Sequence, residues 1–245
     1  IDSNKTFVHP GCMVSQADLD RAKAKKGEEP WKSAFEALEG ARWFNDNDFP
    51  RTGNLLEHND SLFLLRGTED VEYLIPEFEA EAEWGAGNYG EQYKDCSTAW
   101  SNVIYWKLTG NTGAADKAVQ ILNTWTKECK GIVGDNNASL AVMESGFAFA
   151  SIAEIIRDYD GWNPEDQSAF KEWLVRLHVD KLLDFLERHR GNVYSHYWSN
   201  WDLGHLAALM AIGIYCDRAD LYNRAINYIS YGKGNGNFRE YIRTI

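Results

Sequence analysis

The chain has 245 residues, enough for one large hydrophobic core or two small ones. Its 44% hydrophobic content is that of an ordinary globular protein, and no stretch reads as long enough to span a membrane. A formal net charge of −12 argues against nucleic acid or an anionic membrane as the main partner, and it is awkward for any polyanionic substrate.

Helical periodicity dominates the chain. Ser15-Gln16-Ala17-Asp18 has the form of a capping box with Asp in place of Glu, opening a charged helix through about Lys26. Pro30 precedes a second helix over 31–38, with Trp31, Phe35 and Leu38 on one face. Between Gly40 and Gly90, the residues Pro50, Gly53, Gly67 and Pro76 and an acidic run over 77–83 predict loops around short helices. A helix over 92–108 stops at Thr109-Gly110-Asn111, and the next covers 114–129 and ends before Gly131. The apolar, small-residue-rich stretch 139–159 predicts a long helix ending at Asp160-Gly161. Asn163-Pro164 then opens another, running to about His189. Helices over 201–215 and 220–229 complete the series, followed by the loop Gly232-Lys233-Gly234-Asn235-Gly236.

No convincing alternating strand is visible. The connections are short, so neighbouring helices should pack antiparallel. The fold class is therefore all-α, a single domain over 1–245 built of stacked helical hairpins as a solenoid or toroid. Gly204, Ala207, Ala208 and Ala211 put small residues on one helix face, allowing a neighbour to come close.

Aromatic residues make up 13% of the chain, which suits either a large core or stacking on carbohydrate. Cys12, Cys96, Cys129 and Cys216 lie far apart with no zinc-ligand spacing. Sequons start at Asn4, Asn59 and Asn137. Together with a first residue Ile1, they predict a mature secreted chain in which one or two disulfides are possible, though unpaired by sequence.

The densest chemistry lies in His196-Tyr197-Trp198-Ser199-Asn200-Trp201-Asp202-Leu203-Gly204-His205. Flat rings and fixed polar donors opening a buried helix are what a sugar-binding cleft requires. A helix beginning near Trp201 puts Trp201 and His205 on one face and Asn200 at the N-cap, a good address for a carboxylate. Asn200 also suits the plain role of a helix cap. Tyr93 and Gln92, at another helix entrance, are candidates for the same cleft, although a solvated helix start is the plainer explanation of them. His178 and His189 read as charged helix surface without a role. Arg239 and Arg243 supply positive charge to the groove or are simply solvated.

Three segments in order, "HPGCMVSQADLDRAKAKKGEEPWKSAFEAL", "YWKLTGNTGAADKAVQILNTW" with "FAFASIAEIIRDYDGW", and "HYWSNWDLGHLAALMAIGIYCDRADLYNRAINYI", resemble the alginate lyase domain superfamily. The resemblance covers 8–236. It implies an α/α-toroid polysaccharide lyase acting on alginate or glucuronan. "SNWDLG" is also similar to an asparagine-tryptophan motif of the chondroitin and hyaluronan lyases, where the asparagine grips the substrate carboxylate. That match assigns the role to Asn200, with Trp201, and by proximity Trp198, as stacking neighbours.

The implied chemistry is β-elimination across a uronic acid. The C5 proton leaves only if the adjacent carboxylate is neutralised, which an amide, imidazole or guanidinium donor achieves. A Tyr or His removes the proton and a general acid protonates the departing O4. His196, Tyr197 and His205 are the candidates beside Asn200. The resemblance also places a further histidine, arginine and tyrosine downstream. The expectation is thus a toroid incomplete in its C-terminal part, completed by further residues or a second polypeptide. No cofactor is expected, and no calcium-binding DxDxDG-like loop is present. The competing readings are a toroid glycoside hydrolase pairing Asp202 with Asp95 or Glu144, and a non-catalytic carbohydrate-binding domain.

Overall fold

The computed structural model describes residues 6–40, 55–57, 89–134 and 136–239. The sequons at Asn4 and Asn59, the expected loops at Pro50, Gly53, Gly67 and Pro76, the acidic run over 77–83 and Arg243 lie outside the described residues.

Local chemistry sets the helix boundaries. The hydroxyl of Ser15 accepts from the Asp18 N–H at 3.2 Å while Asp18 accepts from the Ser15 N–H at 3.0 Å, opening α1 (Gln16–Lys25). After α2 (Trp31–Gly40), α3 (Tyr89–Thr109) starts three residues before its expected position and ends at Gly110, where φ is +80° and the N–H donates to Trp106 O at 2.7 Å. Asn111 accepts from the Ala114 N–H at 3.1 Å to open α4 (Thr112–Glu128). Past α5 (Ala138–Ile156), Asn163 accepts from the Asp166 N–H at 2.8 Å, with Pro164 first in α6 (Pro164–Leu174). Helices α7 (Asp180–Arg188), α8 (Ser199–Tyr215) and α9 (Ala219–Tyr231) follow. The fold is all-α.

Three expectations need correction. The helix expected from Asn163 to His189 is broken by a π turn at Val175–Val179, which turns the consecutive residues Leu177, His178 and Val179 all inward. Among the described residues there are two three-residue strands, β1 (Leu55–Glu57) and β2 (Gly131–Val133), paired in parallel with Leu56 opposite Ile132. They are too short to show alternation, and their pairing joins segments far apart in sequence. Finally, α5 is long and apolar enough to cross a membrane by composition alone, yet 78% of that stretch is buried inside the protein, as the central helix of a core.

Contacts fix the helix directions. Tyr93 near the start of α3 meets Glu144 near the start of α5, and Lys107 near the end of α3 pairs with Asp158 just past α5 at 2.6 Å. Gly204, early in α8, lies directly over Met143 early in α5, while Gly146 farther along α5 faces Ile212 farther along α8. Helices α3, α5 and α8 therefore run parallel. Helices α4, α6–α7 and α9 return outside them through short turns, forming antiparallel hairpins. The small face of α8 does what its sequence suggests: a side chain at Gly204 would overlap the Met143 thioether, and Ala208 and Ala211 are buried.

Between the layers sits an aromatic core. Phe149 lies 5.6 Å from Trp125 and 5.3 Å from Trp173 by ring centroids, and Phe170 packs on Trp162 at 5.6 Å. Much of the aromatic excess is thus structural. No disulfide joins any two of the four cysteines, and Cys96 and Cys129 are buried.

Candidate active site at the start of helix α8

Because α3, α5 and α8 are parallel, their N-terminal ends face the same way, and the positive ends of three helix dipoles lie at one end of the bundle. The polar-aromatic cluster sits there. It divides into a solvent-facing part and a buried part.

Asn200, His196 and Trp198 face solvent, Trp198 being 81% exposed. Helix α8 starts at Ser199, with Trp198 at the cap position, so Asn200 lies within the first turn and is not the N-cap expected. Its amide makes no hydrogen bond among the described residues, which removes the capping role and leaves it free for a ligand. Trp201 is half-buried, stacked on Phe185 with centroids 5.9 Å apart and planes at 18°. Tyr93 is partly exposed, and burial followed by its hydrogen bond to Glu144 holds the phenol above its usual range, so it stays protonated as a donor. Gln92 is buried and turned away, donating to the Cys96 sulfur at 2.9 Å. Arg239 is exposed at the edge of the loop after α9.

Tyr197 and His205 face inward. The Tyr197 phenol is raised by burial, and Asn192 Nδ2 donates to it at 3.4 Å. His205 stacks on Phe185 at 3.9 Å and shares its face with Trp201, as the spacing predicts. Its Nδ1–H donates to Trp201 O at 2.7 Å, since a carbonyl can only accept; Nε2 is then a lone pair, buried and without a partner among the described residues.

Beneath these residues is a hub the sequence did not reveal. The Asp202 carboxylate, 1% exposed, accepts from His189 Nε2 at 2.7 Å, Tyr228 OH at 3.0 Å and the Gly236 N–H at 2.8 Å. Tyr228 in turn accepts from the Gly234 N–H at 3.1 Å, and Asn235 Nδ2 donates to Tyr197 O at 2.7 Å. One carboxylate thereby ties the start of α8, the end of α7 and the glycine loop after α9. Gly234 is obligatory, because a Cβ there would overlap the Asp202 and Tyr228 oxygens. Beyond the hub, Asp95 is also fully buried and accepts from Trp125 Nε1 at 2.8 Å, so neither Asp95 nor Asp202 faces a cleft as a hydrolytic carboxylate must.

His178 and His189 are not surface residues: both are at most 1% exposed. His178 donates through Nδ1 to Leu174 O at 2.9 Å, and Nε2 lies 2.9 Å from Ser145 Oγ. The π turn brings His178 inward. His189 closes α7 in the left-handed region at φ 44°, which turns its ring under the Asp202 carboxylate.

Burial pushes His178 and His205 down to about 4 from the ordinary 6.5. Both are neutral when folded and take up protons more readily when unfolded. Stability is therefore fully present above pH 6.5 and lost as pH falls towards 4. The expected loss is about 1.4 kcal/mol per pH unit for each histidine. Urea unfolding at steps between these pH values checks this, and a flat profile contradicts it.

Among the described residues no three His, Cys, Asp or Glu side chains gather as a metal site. Comparison with known proteins identifies the architecture. No curated protein matches the chain. The crystal structure of an alginate lyase from Bacteroides ovatus, at 1.60 Å resolution, is similar in fold with a TM-score of 0.66 at 13% identity. The match covers 92% of this chain and 66% of that one, so this chain spans a little under two thirds of its length. Residues 96–240, more than half of the sequence and the whole of α4 through α9, match the alginate lyase family. The chain belongs to the alginate lyase family.

Proposed function

We propose that the protein is a polysaccharide lyase that cleaves a β-1,4-linked polyuronate, glucuronan or alginate, by β-elimination. The carrying observation is the exposed amide of Asn200, unpartnered among the described residues, at the end of the bundle where three helix N-termini converge. Asn200 donates to the substrate carboxylate and stabilises the enolate-like charge as the C5 proton departs. His196, exposed four residues before it, is the base within reach of solvent and substrate. Tyr93, partly exposed on the neighbouring helix, is a substrate-binding contact at the same end of the bundle. Trp198 and Trp201 supply flat faces for the sugar rings. Tyr197 and His205, both enclosed, hold the aromatic platform in place. The polymer is extracellular, and the three sequons support secretion.

The test is direct. Incubated with polyglucuronate and with alginate, the full-length protein should generate ultraviolet-absorbing unsaturated uronides from at least one of them. New reducing ends without that absorbance identify a hydrolase and overturn the proposal. Retention of polymer without any product identifies a binding domain.

A further inference from the structure

A cavity of about 360 Å³ opens beside this cluster, between the start of α5 and the length of α7. That size is within the range of small-ligand pockets, about 300–1,000 Å³. Phe185 forms part of its wall. The same ring stacks under Trp201, so cavity and candidate active site share one aromatic partition.

The lining carries Lys181, Arg188 and Arg190 against Asp180 and Asp184. It is net positive on a chain whose total is −12. Arg188 is neutralised by Asp184 one turn before it. Lys181 and Arg190 have neither ion pair nor hydrogen bond among the described residues. Arg190 is also held in an unfavourable backbone conformation. His189, Arg190 and Gly191 have φ of 44°, 54° and 82°, three successive left-handed residues, two of which are not glycine. The reversal turns Arg190 back towards the helix it has just left and into the cavity wall. Ser139, in the first turn of α5, completes the lining, and α5 has no side-chain cap hydrogen bond from Asn137.

We propose that this cavity is a second sugar subsite that takes one uronate residue of a bound chain, its carboxylate on Arg190 and Lys181 and its hydroxyls on Asp180 and Ser139. A planar guanidinium matches a carboxylate bidentately, while an acidic side chain accepts from sugar hydroxyls. The choice of a uronate rests on the lyase reading; the anion-binding cavity does not. Phe185 is itself buried between the two sites, so a polymer that fills both passes over the residues covering that ring, and long chains gain over short ones.

The test compares wild type with the double variant Lys181→Gln and Arg190→Gln, both exposed positions, by titration calorimetry with uronate oligosaccharides of increasing length. The expected result is affinity for long oligouronates about tenfold weaker per lost charged contact. Affinity for the disaccharide and kcat stay unchanged, as does the melting temperature. A variant that binds long oligouronates as wild type does overturns the subsite, as does a wild type that binds no oligouronate. A wild type that binds them in this length-dependent way and cleaves nothing instead overturns the lyase reading and leaves the subsite standing.

Discussion

Replacing Asn200 with alanine will reduce kcat on the polyuronate by about 10²–10³-fold, the usual cost of removing one donor to a developing oxyanion. The reason is chemical selectivity. The ground-state carboxylate is already solvated, and the charge that accumulates on elimination is what needs a preorganised donor. The loss should therefore appear in kcat more than in KM. Asn200→Asp will be at least as damaging, since a second carboxylate repels the first. Neither change should lower the melting temperature, because the amide is exposed and unpartnered among the described residues within the first turn of α8. Steady-state rates of ultraviolet product formation beside thermal denaturation separate the two effects. An alanine variant turning over like wild type removes Asn200 from the reaction.

The second large effect is on stability. Asp202→Ala takes the shared acceptor away from His189, Tyr228 and the Gly236 N–H in a site that water does not reach. Breaking a buried hydrogen-bonded pair by deleting one partner costs about 3–5 kcal/mol. The loss will be read as a lower urea midpoint. Asp202→Asn retains the shape and one acceptor oxygen and should fall between wild type and alanine. A loss below about 1 kcal/mol for alanine, the scale of one ordinary hydrogen bond, contradicts the hub. Limited proteolysis adds a local reading: cleavage in the Gly232–Gly236 loop should accelerate in the alanine variant first.

The sequence made the helices legible because their signals are local. Ser15 with Asp18, Asn111 and Asn163-Pro164 each cap the residues next to them. What escaped notice depends on partners distant in the chain. The π turn over 175–179 carries His178 inward to Ser145, a contact that no periodicity encodes. His189 looked like surface because charged neighbours surround it in sequence, yet its ring belongs to Asp202, 13 positions away. The ten-residue cluster was legible as a concentration of polar and aromatic side chains, but its division into exposed and enclosed halves was not. That division follows from Phe185, a ring contributed by another helix. The one available clue to the hub was the spacing of glycines at 232, 234 and 236, a sign that backbone must come close to something large.

The parallel course of α3, α5 and α8 carries an evolutionary implication. Attraction for acid groups at that end arises partly from peptide units themselves, and point mutation cannot erase it without dismantling a helix. Exposed positions around it that carry no proposed role are thereby released to vary. A pull on negative charge at that end is inherited with the backbone and survives change in the side chains around it.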